Sequence, residues 1–154
     1  AWEVLRGAEF APGRVVVADW RCDWIGLGVA TLLAERGHRV TLASTGYHAG
    51  QRIQQYVRDE MIKTAVQRGV DIVPLVRPYG ADDDTVYLQH VLTGEPVIIE
   101  PVTGLVLSQG HTPVDDLSAT LEAAGFEVHL VGDCLAPRTV EEAVLDALKV
   151  GSLV

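Results

Sequence analysis

Runs of buried-type residues alternate along this chain with stretches of helical period. Arg14-Val15-Val16-Val17-Ala18 is a continuous apolar run of β-branched residues, the pattern of a strand covered on both faces of a parallel sheet. From Ile25 the apolar residues Ile25, Val29, Leu32 and Leu33 recur at helical spacing, Glu35 and Arg36 face water, and Gly37 is placed to end the helix in a left-handed cap. Arg39 to Ala43 then begins a second strand, completing a β-α-β unit within about 30 residues. Ala1 to Gly13 reads as a short helical turn followed by a Pro12-Gly13 turn into the first strand.

Beyond a loop from Gly46 to Gly50, Gln51 to Arg68 is a polar helix with Ile53, Tyr56, Val57, Met61, Ile62 and Ala65 on one side, ended by Gly69. Val70 to Val73 is a third strand. From Pro74 the runs shorten: Val76 to Pro78, Thr85 to Leu92 and Pro96 to Glu100 are separated by turn signals and alternate as antiparallel strands do. Gly104 to Ser108 is again a buried-type strand. A helix over Val114 to Ala124, a last strand over Phe126 to Val131 and a helix over Thr139 to Val150 follow, the last with Thr139 as N-cap and Glu142 as capping-box partner. The expected fold class is α/β: a Rossmann-like parallel sheet flanked by helices, with an antiparallel β-meander inserted after the third strand. Residues 1–12 read as a linker and 13–154 as one Rossmann-like domain.

The turn inside the first β-α-β unit carries the chemistry. A dinucleotide loop of GxGxxG type uses its first glycine for a tight turn, its second for backbone approach to pyrophosphate and its third for helix-strand packing. Only the third, Gly26, is present. The phosphate side reads Asp19, Trp20, Arg21, Cys22, Asp23 and Trp24, longer by about two residues than such a loop. Two carboxylates there repel a pyrophosphate, and Asp23 is equally suited to cap the helix. The second strand ends Ala43-Ser44-Thr45 without the acid that holds an NAD ribose. Arg52 is either a 2′-phosphate contact, favouring NADP, or a solvated surface arginine.

Composition narrows the partners. The 154 residues carry 12 basic and 21 acidic side chains, a net charge of −9, so no basic face for nucleic acid is easily assembled. There is no apolar run of membrane-spanning length and no signal-type segment at the start, which leaves no expected membrane partner and a cytoplasmic location as the default. Cys22 and Cys134 are far apart and read as free thiols, and the five histidines lack metal-ligand spacing. Asp82-Asp83-Asp84 reads as a solvated turn. The chain begins with Ala1, which fits either methionine removal or a piece of a longer polypeptide.

The tail EVHLVGDCLAPRTVEEAVLDALKVG, Glu127 to Gly151, is the most specific stretch. A strand ending in Gly132-Asp133 and leading to a helix N-terminus places one carboxylate beside an anion-friendly site. Followed by CLAPRTVEEAV, it resembles the C-terminal region of the trimethylamine dehydrogenase and 2,4-dienoyl-CoA reductase family, iron-sulfur flavoproteins of the old yellow enzyme group. Trp2 to Gly7 is similar to that family's entry into its nucleotide-binding-like domain, RVVVAD to its first unit, and Leu105 to Gly110 with Pro113 to its LVLxxGxxP-type return strand.

The resemblance implies a parent enzyme with FMN and a 4Fe-4S cluster on a TIM barrel, and ADP, or FAD with NAD(P)H, on the following domains. It also implies that residues 13–110 are an NAD(P)H-domain-like insert and 111–154 a return segment resembling the end of the FAD/ADP domain; the partners it implies are that barrel and an FAD/ADP-type domain, with a nucleotide as a further ligand. The cofactor-binding positions it and the loop single out are Arg21, Trp24, Gly26, Gly132 and Asp133, Asp133 matching the ribose contact. Arg138 reads as either a phosphate contact or a salt bridge to Glu141 or Glu142. No catalytic residue and no metal ligand is expected in the chain, and no tightly bound cofactor. Three functions follow: a mainly structural or docking domain of an amine dehydrogenase-like oxidoreductase, not catalytic alone; a working NAD(P)H domain feeding hydride to a flavin, with Trp20 and Trp24 stacking on the ligand; or a small non-catalytic subunit that assembles with a separate barrel.

Overall fold

A computed structural model describes residues 1–153, and the chain divides into two compact units, Ala1–Gly110 and His111–Val154. The first unit is built on four parallel strands, β1 (Arg14–Asp19), β2 (Arg39–Ser44), β3 (Asp71–Val73) and β7 (Gly104–Ser108), in the order β3-β2-β1-β7. Three antiparallel strands, β4 (Val76–Ala81), β5 (Val86–His90) and β6 (Pro96–Ile99), form a separate sheet. Helices α1 (Trp2–Leu5), α2 (Trp24–Glu35) and α3 (Gln55–Gln67) complete the unit. This is the expected α/β class, with the meander after the third strand.

Strand alternation decides what covers each face. Val15 and Val17 of β1, Val40 and Leu42 of β2 and Val106 of β7 join Leu27, Ala30 and Leu33 of α2 and Ala65 of α3 in one core. Val4 and Phe10 pack against that same core. Val16 and Ala43, on the opposite face, pack with Val76, Val86, Leu88 and Ile99 of the meander. Both faces of the parallel sheet are therefore covered, which is why β1 can be apolar at every position from Val15 to Ala18.

Helix ends follow the local chemistry. Gly37 and Gly69, at φ +89° and +83°, close α2 and α3 in the left-handed conformation. Helix α3 begins at Gln55, four residues later than its period suggests, because Gln51 is used otherwise: its Oε1 accepts the Tyr47 N–H at 2.8 Å, and the Ile53 N–H closes a turn onto the Gly50 carbonyl.

The second unit contains α4 (Ser118–Ala123), a 3-10 turn over Gly132–Cys134 and α5 (Val140–Gly151). Helix α4 is shorter than the expected Val114 to Ala124, since Asp115 accepts the Ser118 N–H at 3.0 Å and marks the helix entry. Phe126 to Val131 is not a strand. A strand exists only through a ladder to a neighbour, and the described residues give this segment none. The capping box of α5 is present, with Glu142 accepting from the Thr139 backbone N–H at 2.9 Å. Arg138 pairs with Asp146, not with Glu141 or Glu142. No apolar side chain described after Gly110 is buried, and Val140, Val144, Leu145 and Leu148 of α5 are exposed. Among the described residues no helix is long and apolar enough to cross a membrane.

Two glycines of α2 should respond oppositely to alanine. A Cβ on Gly26 would fall 2.2 Å from Asp19 Cγ, whereas one on Gly28 would meet nothing within 4 Å. Gly26→Ala is expected to destabilise the chain by about 1–3 kcal/mol through overpacking, and Gly28→Ala to stabilise it by up to about 1 kcal/mol. Urea denaturation of the two variants beside the parent chain measures both.

Candidate functional site

The strand β1 ends at Asp19 and α2 starts at Trp24, so Trp20 to Asp23 form the turn where a dinucleotide fold normally meets pyrophosphate. The reversal is made without glycine. Cys22 adopts φ 54°, a conformation that costs a non-glycine residue about 1 kcal/mol, and three contacts hold it there. Its N–H donates to Asp19 Oδ1 at 3.0 Å, its Sγ accepts the Gly46 N–H at 3.2 Å, and its carbonyl accepts the Arg52 N–H at 3.0 Å. Thr45 adds a hydroxyl bond to the Trp20 carbonyl at 2.9 Å. The loops after β1 and β2 are thereby tied to one another.

The chain's own acids occupy the amino end of α2. Asp23 is its N-cap, with Oδ1 accepting the Ile25 N–H at 3.0 Å while Oδ2 lies 2.9 Å from Arg21 Nε. Asp19, only 1% exposed, presses its carboxyl group against Gly26 in the first turn of the same helix. This arrangement puts two negative groups at the end of a helix that stabilises anions, and it surrounds them with amides that a phosphate would otherwise use. The residues present do not fit a pyrophosphate.

Asp19 lies in a row of small polar residues. It is in register with Ser44 of β2 and Ser108 of β7, so all three stand on the α2 face at the carboxyl edge of the sheet, all buried. Asp19 Oδ2 and Ser44 Oγ are enclosed without a hydrogen bond of normal geometry. Burial raises the Asp19 pKa from 3.8 to about 6; the Asp23 charge pushes the same way, and the Cys22 and Arg21 amides and the Ser108 hydroxyl draw it back only in part.

An open cleft of about 270 Å³ lies beside the turn, lined by Trp20, Arg21, Cys22, Thr45, Gly46, Gln51 and Arg52. The structure gathers Arg21, Trp24 and Gly26 of the expected positions around this first turn. Trp20 and Trp24 are about half exposed, at 51% and 52%. Gly132 and Asp133 belong to the other unit, where Gly132 takes φ +66° and lies against Ala143 of α5, and Asp133 is exposed. Cys22, Ser44 and Ser108 were not singled out as site residues by sequence reasoning. The available signal was that every long parallel strand ends its apolar run on a small polar residue: Asp19, Ser44 and Ser108. The acidic turn Asp82 to Asp84 is engaged locally, Asp82 accepting the Tyr87 hydroxyl at 2.9 Å and Asp84 that of Thr85 at 3.1 Å. Among the described residues no group of His, Cys, Asp and Glu is placed to hold a metal ion.

The α/β fold with a meander and a nucleotide-type turn has counterparts among known proteins. No established family profile matches the chain. It is 25% identical, over 97% of its length, to the N,N-dimethylglycine/sarcosine dehydrogenase of Chromohalobacter salexigens, of which it spans 26%. It superposes on the 6-hydroxypseudooxynicotine amine oxidase of Pseudomonas geniculata N1 with a TM-score of 0.86 at 24% identity, covering 97% of this chain and 23% of that one. Histamine dehydrogenase from Rhizobium sp. 4-9 gives a TM-score of 0.76 at 20% identity over 89% of this chain and 22% of that one. The chain thus spans about a quarter of the length of each of these proteins.

The Asp19 carboxyl makes stability depend on pH with a definite sign. Its folded pKa lies above the unfolded value, so the folded state holds the proton more tightly, and stability falls as pH rises from about 4 to about 6. The full difference is about 3 kcal/mol. Asp19→Asn keeps the Cys22 contact without the charge, and is expected to be more stable than the parent chain by about 1–3 kcal/mol near pH 7.5 and to lose this pH-dependent fall. Urea titrations at about pH 4 and about pH 7.5 check it; an unchanged pH slope would remove Asp19 as the cause.

Proposed function

We propose that this chain is the nucleotide-binding-type domain of an amine dehydrogenase-like flavin oxidoreductase related to the trimethylamine dehydrogenase and 2,4-dienoyl-CoA reductase family, and that its role is architectural. The observation that carries this reading is the filling of the α2 amino end by Asp19 and Asp23, where a nicotinamide dinucleotide would place its pyrophosphate. The names of its relatives, an N,N-dimethylglycine/sarcosine dehydrogenase and an amine oxidase, point to amine oxidation by the parent, and its span of about a quarter of their length suits one domain of several.

On this reading the chain performs no chemistry alone. The parent's barrel would hold FMN and a 4Fe-4S cluster, and its FAD/ADP-type domain would take the return segment, with Asp133 beside the ligand's ribose. The exposed rings of Trp20 and Trp24 then serve as contacts to the remainder of the enzyme, since half-exposed tryptophans are typical interface anchors. The exposed apolar residues of α5 have the same explanation.

A second reading is supported by the cleft beside the turn. Arg21 and Arg52 line it together with the Trp20 ring, so a working NAD(P)H site that uses side chains in place of glycine amides has the elements of an anion contact and a stacking platform. Titration calorimetry with NADH, NADPH, ADP and FAD separates the readings, with tryptophan fluorescence as an independent signal. The architectural role predicts no saturable binding of the two reduced nicotinamide dinucleotides below roughly millimolar concentration. A Kd of about 1 µM for NADPH, equivalent to about −8 kcal/mol, accompanied by quenching lost in Trp20→Ala, would establish the second reading instead.

A further inference from the structure

The amino edge of the parallel sheet, opposite the nucleotide-type turn, holds a feature that the proposed function does not use. Arg14 and Arg39 open β1 and β2 and are direct register partners, on strands spaced about 4.8 Å apart. Both line one cleft of about 350 Å³, together with Gly13, Gly37 and Pro101. Like charges carried on neighbouring strands repel one another, and in a chain with 21 acidic residues a carboxylate partner would be easily supplied. Neither arginine has one among the described residues: the ion pairs formed are those of Arg21, Arg58, Lys63, Arg68, His129 and Arg138. Arg14 Nε is moreover enclosed and bonded to nothing.

Glycines in the left-handed region occupy two of the cleft's lining positions. Gly13 takes φ +149° and Gly37 φ +89°, and a Cβ on Gly13 would run into the Thr103 side chain at 2.4 Å. Thr103 itself is fixed from below, its N–H donating to the Arg14 carbonyl at 2.7 Å and its hydroxyl to the same oxygen at 3.2 Å. The Arg39 N–H donates to the Gly13 carbonyl at 3.1 Å, which pins the second arginine's backbone to the floor of the cleft. The backbone from which each arginine projects is thus fixed by hydrogen bonds.

We infer that this cleft is a binding site for a phosphate-type oxyanion, held between the Arg14 and Arg39 guanidinium groups. A tetrahedral dianion has enough acceptor oxygens to meet both forks at once, relieving their mutual repulsion. The site is independent of the reading of the parent enzyme, because it uses neither the loop after β1 nor the return segment.

The test is thermal unfolding of this chain in sodium phosphate, in sodium chloride of equal ionic strength and in sodium acetate, repeated on Arg14→Gln and Arg39→Gln. Phosphate at ten times its Kd is expected to raise Tm by about 4 °C above the chloride control, and Arg39→Gln, an exposed position where folding is not at risk, to weaken phosphate binding about tenfold. Phosphorus NMR of inorganic phosphate with the chain provides a reading that does not depend on unfolding, with line broadening expected for the parent chain and lost in Arg39→Gln. Equal shifts in phosphate and chloride, or broadening that survives in Arg39→Gln, would overturn the assignment. An acetate shift as large as that of phosphate would overturn it too, in favour of a carboxylate from a protein partner.

Discussion

The contact between the Asp19 carboxyl group and Gly26 sets the geometry of everything at the carboxyl edge of the sheet. Only a residue without Cβ lets the first turn of α2 approach that carboxyl so closely, and the carboxyl in turn accepts the Cys22 N–H that holds the glycine-free reversal. Cys22 is then the node through which the loop after β2 is hung on the loop after β1. A charged side chain has been given a structural position at a helix end where a nucleotide fold keeps space for a ligand's charge. The energetic consequence is a carboxyl group whose pKa is raised to about 6.

The two faces of the sheet divide the labour. One face is packed by α2 and α3 with Val4 and Phe10, the other by the meander, and the register of β1 with β2 and β7 sends odd-numbered β1 residues to the helices and even-numbered ones to the meander. The parity that buries Val15 and Val17 also puts Asp19 under α2. Its burial is thus a consequence of where β1 ends, not of any affinity of the carboxyl group for the core. The same parity carries Arg14 to the opposite face, in line with Val16.

Much of this was legible in the sequence because it depends on local rules. A run such as Val15-Val16-Val17-Ala18 can only be a strand covered twice, Gly37 and Gly69 sit where helices need a left-handed residue, and Thr139 with Glu142 forms a capping box from four consecutive positions. The acidic, glycine-poor turn was legible for the same reason. What was misread depends on partners far away in sequence. Phe126 to Val131 has the composition of a strand but no ladder to join, and the guanidinium of Arg138 reaches across two turns of α5 to Asp146 in preference to the nearer glutamates. The row Asp19, Ser44 and Ser108 becomes a unit only when β1, β2 and β7 are laid side by side, 89 residues after the row begins.

The knot at Cys22 bears on how the turn tolerates substitution. Glycine at position 22 would suit the φ of 54° but would withdraw the sulfur that accepts the Gly46 N–H, so the turn would keep its shape while the neighbouring loop lost a tether. The loops after β1 and β2 are therefore constrained jointly, since the Cys22 sulfur and carbonyl each accept a backbone N–H from the second loop. A residue tethered on both its sulfur and its backbone is harder to replace than either bond alone would make it.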